Sequence, residues 1–98
     1  MLTSKQRAKL RSLAAHEDVI MQVGKSGVTE AMVQTVGDAL EARELIKLHV
    51  LENSGASPKE VISVLAEALN AEAVAVTGKK IVLYRASEKN PTIELPRA

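Results

Sequence analysis

The hexapeptide Gly24-Lys25-Ser26-Gly27-Val28-Thr29 has the residue types and spacing best suited to a chemical task in this sequence. Its two glycines let the chain turn sharply and leave backbone N–H groups without a shielding Cβ atom. Lys25 adds a full positive charge, and Ser26 adds a hydroxyl donor. Thr29 suits a helix N-cap, and a helix start presents further free N–H groups and the positive end of the dipole. The hexapeptide therefore predicts a site for an anionic oxygen.

A plain tight turn between a strand and a helix explains the same pattern, because Gly-x-x-Gly arises by chance in many turns. The hexapeptide is not a P-loop, since the longer glycine spacing and the trailing Lys-Ser/Thr pair are missing. It also lacks the Gly-x-Gly that begins a dinucleotide-binding fingerprint. KH domains use a Gly-x-x-Gly loop to clamp the backbone of single-stranded nucleic acid. From the loop alone, the anion site and the plain turn both remain open.

Basic side chains are concentrated toward the two ends of the chain. Residues 1–28 hold five basic and two acidic residues, residues 29–72 hold three and eight, and residues 73–98 hold five and two. A fold that joins the ends would have a basic side suited to a polyanion, although evenly scattered charges explain the sums equally well. The candidate contacts outside the loop are Lys5, Arg7, Lys9, Arg11, Lys47, Lys79, Lys80 and Arg85. In the first helix we expect either the Lys5 and Lys9 pair or the Arg7 and Arg11 pair to contribute.

The composition excludes several other kinds of site. The chain has no cysteine, which removes disulfides, thiolate metal sites and thiol nucleophiles. Tyr84 is the only aromatic residue, so nucleic-acid bases cannot stack on an aromatic platform. His16 and His49 have no partners spaced for metal binding or acid–base work, and no catalytic set stands out. We expect no enzyme activity, no metal, no cofactor and no small-molecule substrate.

Hydrophobic periodicity predicts the elements that would position the loop. The order is helix, strand, helix, strand, helix, strand, strand, over residues 3–15, 19–23, from 29, 45–51, from 57, 73–77 and 81–84. This order predicts one α/β (α+β) domain spanning residues 1–98, with two layers and a four-stranded mixed sheet. Ser57 and Glu60 predict a capping box, Gly78-Lys79 a hairpin turn, and Gly37 a close approach of a helix to the sheet. Residues from about 87 to 98 should form an extended tail.

Several stretches, in order along the whole chain, resemble one family. They are Leu2–Arg7, Val23–Thr29, Ala39–Lys47, Gly78–Arg85 and Glu94–Pro96. The chain resembles the CRM domain (chloroplast RNA splicing and ribosome maturation) in its bacterial stand-alone, YhbY-type form. Many members carry a proline before the first strand, where this chain has Glu17-Asp18-Val19, so residues 16–19 are left out of the predicted site.

The resemblance implies a fold like the C-terminal domain of translation initiation factor three. It also implies RNA binding through the Gly-x-x-Gly loop and nearby basic residues, and association with precursors of the large ribosomal subunit. We expect a cytoplasmic protein that is not bound to a membrane, because no apolar run reaches the roughly 20 residues of a membrane span and no signal segment is visible. A monomer is the default expectation. The alternative is a protein-interaction module whose acidic middle, residues 30–72, docks on a basic ribosomal protein.

Overall fold

The elements of the chain follow the predicted order. The structure, a computed structural model, describes residues 2–96 of the 98-residue chain. The helices are α1 (Ser4–Ala14), α2 (Glu30–Arg43) and α3 (Pro58–Leu69), and the strands are β1 (Val19–Val23), β2 (Leu45–Val50), β3 (Glu72–Thr77) and β4 (Lys80–Tyr84). A short 3₁₀ helix, Glu52–Ser54, follows β2. Among the described residues, no helix has the length and apolar character needed to cross a membrane.

The four strands form one mixed sheet in the order β1-β2-β4-β3. Strands β1 and β2 are parallel, and β4 runs antiparallel to both of its neighbours, β2 and β3. Strand β3 therefore runs parallel to β2 with β4 inserted between them, so both strand–helix–strand connections join parallel strands. The predicted fold class and mixed sheet are confirmed.

Helices cover both faces of the sheet, which corrects the predicted two layers to three. Alternate residues of a strand point to opposite faces, so one strand can serve two cores. On one face Ile46 and Leu48 of β2 pack with α2 and α3 in the larger core. On the other face Leu45 of β2 packs with Leu10 and Ala14 of α1. The prediction missed this because the apolar stripe of a helix does not say which face of a sheet it covers.

Each of the three α-helices begins after a residue whose side chain caps it. The hydroxyl of Thr3 accepts from the N–H of Gln6, whose side chain accepts from the Thr3 N–H in return. Ser57 and Glu60 form the predicted capping box at α3. Each cap satisfies donors that the first turn of a helix cannot pair internally, which fixes where the helix begins.

Gly37 does mark a close approach, but the neighbour is a helix and not the sheet. A Cβ atom at this position would lie 3.1 Å from Cδ2 of Leu69 in α3. In α3 the buried residues are Val61, Ile62 and Leu65, whereas Ala68 is exposed. Gly37 therefore serves the packing of α2 against α3.

The tail predicted from about residue 87 lacks regular secondary structure, but it is bound to the domain. Ile93 and Leu95 pack against the smaller core beneath α1. The side-chain amide of Gln6 donates to the carbonyl of Pro96 at 3.0 Å. Residues 97 and 98 of the predicted tail lie outside the described range.

Candidate functional site

The loop between β1 and α2 is a tight turn closed by one hydrogen bond. The N–H of Gly27 donates to the carbonyl of Gly24 at 2.9 Å. Gly27 has φ +65°, a conformation that favours glycine, whereas Gly24 has no positive φ and a Cβ there would meet only Leu51 at 3.9 Å. Of the two predicted glycines, only Gly27 is required by backbone conformation.

The remaining donors of the loop are open. Lys25 and Ser26 are exposed at its tip. In the described part of the chain, the N–H groups of Lys25, Ser26 and Val28 donate to no other group. The hydroxyl of Thr29 accepts from the N–H of Met32 at 3.1 Å, so Thr29 acts as the N-cap of α2. The loop thus presents backbone donors, a lysine and a helix dipole to solvent, which is the arrangement that attracts an oxyanion.

Two other loops lie at the same end of the sheet. The N–H of Leu51 donates to the carbonyl of Val23, which places the 3₁₀ helix that follows β2 beside the Gly24–Gly27 loop. The carbonyl of Lys79, in the β3–β4 hairpin, accepts from the N–H of Val50. The side chain of Lys79 forms an ion pair with Glu52, whose carboxyl pKa is lowered by that hydrogen bond. Lys79 is close to the loop end of the sheet, but its charge is partly compensated.

Three of the predicted cations line one hollow beside α1. Arg11 of α1, Lys47 of β2 and Lys80 of β4 border this concavity together with small and apolar residues, and no carboxylate lines it. In the ladder Lys80 is paired with His49, which is paired in turn with Gln22, two residues before the loop. The hollow therefore lies on the α1 face of the sheet, close to the strand end that carries the loop.

The other predicted cations have different surroundings. Arg7 donates to the carbonyls of Ala73 and Val74 in β3. Arg85 donates to the carbonyls of Leu69 and Gly37. Both guanidinium groups hold parts of the fold together, which the charge pattern could not reveal. Lys5 and Lys9 are exposed and border a hollow beside the tail, with the carboxylate of Glu94 among its lining groups.

Sequence reasoning missed the residue with the most demanding environment, Glu44, which is only 1% exposed. Its carboxylate accepts from the N–H groups of Ser87, Thr92 and Ile93 and from the hydroxyl of Thr92, at 2.7–2.9 Å. Burial raises the pKa of Glu44, but these hydrogen bonds outweigh that effect and lower the pKa to about 2. The carboxylate stays ionised and pins the tail.

A backbone feature accompanies this contact. Glu44 has φ +65°, and it is the single residue between the end of α2 and the start of β2. Its N–H donates to the carbonyl of Leu40, and its own carbonyl accepts from the N–H of Arg85. The sequence offered one signal, a helix running directly into a strand without Gly or Asn at the junction.

Glu41 strengthens the same attachment of the tail. Its carboxylate accepts from the hydroxyl of Ser87 and from the N–H groups of Glu88 and Lys89. These contacts, the Ser87 hydroxyl foremost, lower the pKa of Glu41. Among residues 2–96, by contrast, no three His, Asp or Glu side chains are grouped to hold a metal ion.

The chain is similar to known proteins over nearly its whole length. A sequence profile of the CRS1 / YhbY (CRM) domain matches residues 2–85. Probable RNA-binding protein YqeI of Bacillus subtilis is 46% identical over 96 residues, covering 98% of this chain and all of the relative. An RNA-binding protein of Haemophilus influenzae is 33% identical, with 98% of this chain and 96% of the relative covered.

A solved structure has the same fold. The solution structure of the hypothetical protein SAV1595 from Staphylococcus aureus matches with a TM-score of 0.81 at 51% sequence identity. The match covers 98% of this chain and all of the other. The similarity therefore extends to both the sequence and the arrangement of the elements.

Proposed function

The chain belongs to the CRS1 / YhbY (CRM) domain family, and on this premise we propose that it binds RNA by holding phosphate oxygens on the Gly24–Gly27 loop. Relatives named as RNA-binding proteins in two bacteria support the choice of ligand. The single observation that carries the proposal is the set of unpaired N–H groups at Lys25, Ser26 and Val28, beside the start of α2. Backbone donors at a helix start fit a phosphate group because they combine hydrogen bonds with a positive dipole.

The hollow lined by Arg11, Lys47 and Lys80 extends the proposed RNA surface along the α1 face of the sheet. Each exposed cation that neutralises a phosphate releases a counterion, so the hollow adds affinity without reading sequence. Of the two basic pairs in the first helix, the proposal uses Arg11 and leaves Arg7 to its contacts with β3. Lys5, Lys9, Lys79 and Arg85 remain predictions that the proposal does not need.

The lack of an exposed aromatic side chain favours recognition of RNA through its phosphates and its shape. Tyr84, the only aromatic residue of the chain, is 7% exposed and packs in the core beneath α1. Bases therefore have no aromatic side chain on which to stack, and a structured RNA with a defined backbone path is the better ligand. We propose ribosomal RNA in precursors of the large subunit as that ligand, bound by a cytoplasmic monomer without catalytic activity.

An NMR titration with a structured ribosomal RNA hairpin tests the site. The largest ¹H–¹⁵N shift changes are expected at residues 24–31, with smaller ones at Lys47 and Lys80. The amides of Thr92 and Ile93 provide an internal control, because they donate to Glu44 inside the protein. Shift changes centred on the outer surface of α3, or no changes at all, would contradict the proposal.

A further inference from the structure

Helices α2 and α3 leave a groove between them on the face of the sheet opposite α1. It has a volume of about 1000 Å³, and its apolar lining includes Val33, Val64 and Leu69. Val64 is 50% exposed, which is the highest value for a large hydrophobic side chain among residues 2–96. A single exposed valine is common on protein surfaces, but this one lies within a concave apolar site.

The rim of the groove is acidic. Glu30, Asp38 and Glu88 are exposed carboxylates that line it, while Glu41 is engaged with the tail. No lysine lines the groove, and Arg85, its one lining cation, donates to two backbone carbonyls. The groove therefore combines apolar lining residues with negatively charged carboxylates at its rim.

The acidic character continues along α3. Glu60 and Glu67 are exposed and lie four residues before and three residues after Val64, so they flank it on one helix surface. A phosphate backbone would be repelled by these carboxylates, whereas lysine and arginine side chains would be attracted. This charge pattern distinguishes the groove from the basic hollow lined by Arg11, Lys47 and Lys80.

The shape of the groove fits a helix. The lining positions on α2 are 30, 33, 34, 37, 38 and 41, a spacing of three and four residues that marks one face over three turns. Eleven residues of rise correspond to about 17 Å of helix. At Gly37 the missing side chain lets Leu69 of α3 pack closely against α2, and both residues line the groove.

We propose that this groove binds a basic amphipathic helix of a partner protein. An apolar residue of that helix packs on Val64 and Leu69, and its lysines or arginines pair with Glu30, Asp38 and Glu88. One end of the groove is formed by Val28, Thr29 and Glu30, so it lies next to the Gly24–Gly27 loop proposed for RNA. The two sites differ in the charge of the partner that they favour.

Fluorescence anisotropy with a labelled synthetic 14-residue Leu/Lys amphipathic peptide tests this proposal. The full-length protein is expected to bind this peptide and not a matched peptide in which glutamate replaces each lysine. Val64→Lys should weaken binding about tenfold or more, because it places a like charge and removes the apolar contact. Val76→Lys is the matched control, since Val76 is the other exposed valine and lies on β3.

Further variants separate the proposal from RNA binding. Asp38→Lys should weaken binding of the Leu/Lys peptide, whereas Lys25→Ala should leave the affinity for this peptide within about twofold of the wild-type value. The proposal is overturned if the Leu/Lys peptide does not bind, if the glutamate peptide binds equally well, or if Val64→Lys and Val76→Lys weaken binding equally.

Discussion

Two clusters of backbone N–H groups in this molecule differ in what they hold. In the tail, the N–H groups of Ser87, Thr92 and Ile93 converge on the carboxylate of Glu44. In the loop, the N–H groups of Lys25 and Ser26 face solvent and donate to no group among residues 2–96. Both clusters consist of donors from irregular backbone, so they can offer an oxyanion the same kind of hydrogen bond.

In the proposed function, this difference separates stability from binding. The tail donors are satisfied by an internal anion, and the lowered pKa of Glu44, about 2, records how strongly they favour its charged form. The loop adds Lys25 and the start of α2, and no carboxylate among residues 2–96 accepts a hydrogen bond from its free N–H groups. An external phosphate supplies the missing anion in the proposed function. Changes at Glu44 should therefore affect unfolding, and changes at the loop should affect RNA binding.

The largest effect is expected for Glu44→Gln. The amide retains the shape of the side chain but replaces one acceptor oxygen with a donor, which leaves at least one N–H group of the tail without its acceptor. We expect a loss of about 3–5 kcal/mol in the free energy of unfolding, measured by urea denaturation. Glu17→Gln, at an exposed glutamate, is the control and should change stability by less than about 0.5 kcal/mol. Equal free energies of unfolding for Glu44→Gln and Glu17→Gln would contradict a stabilising role of the hydrogen bonds between the tail and Glu44.

Acid should weaken the tail attachment in a defined window. The folded pKa of Glu44, about 2, lies below its ordinary value of 4.5, so the unfolded chain takes up a proton more readily than the folded one. This contribution is complete above about pH 5 and is lost as the pH falls toward 2, a change of about 3 kcal/mol. Urea denaturation at a series of pH values should show the loss in the wild type and a flatter profile in Glu44→Gln. A pH-independent difference between them would contradict the assignment.

Much of the fold follows from local patterns in the sequence. Thr29 and Ser57 predicted the starts of α2 and α3 because a cap depends on residues within one turn. Gly78-Lys79 predicted the last hairpin for the same reason. The position of α1 on the second face of the sheet could not be predicted, because Leu10 and Ala14 would form an apolar stripe against either face.

In the candidate site, too, the sequence predicted features that depend on neighbouring residues and missed contacts between residues far apart in the chain. The loop was predicted because its glycines, lysine and cap are consecutive in sequence. The contacts of Arg7 with β3 and of Arg85 with α2 and α3 join residues far apart in sequence, so charge alone did not distinguish these arginines from Arg11. Glu44 was missed because its donors lie more than forty residues away, in the tail.

Alanine substitutions at the two loop glycines should have smaller effects on the free energy of unfolding, and the two effects should differ. Gly27→Ala should cost about 1–2 kcal/mol in unfolding free energy, because alanine is strained at φ +65°. Gly24→Ala should cost less than about 0.5 kcal/mol, since the nearest atom to the new Cβ is 3.9 Å away. Thermal and urea unfolding check both values. A larger cost at Gly24 than at Gly27 would mean that the turn depends on a contact other than backbone conformation.

Lys25→Ala tests the central claim most directly, because it removes one charge from the loop and leaves the tail attachment intact. The logarithm of the affinity for a structured ribosomal RNA hairpin, plotted against the logarithm of the salt concentration, should lose about 0.7–0.9 in slope as one phosphate contact disappears. The free energy of unfolding should stay within about 0.5 kcal/mol of the wild-type value. Lys59→Ala, at an exposed residue of α3, should keep the wild-type slope. Wild-type affinity and slope in Lys25→Ala at every salt concentration would contradict phosphate binding by the loop.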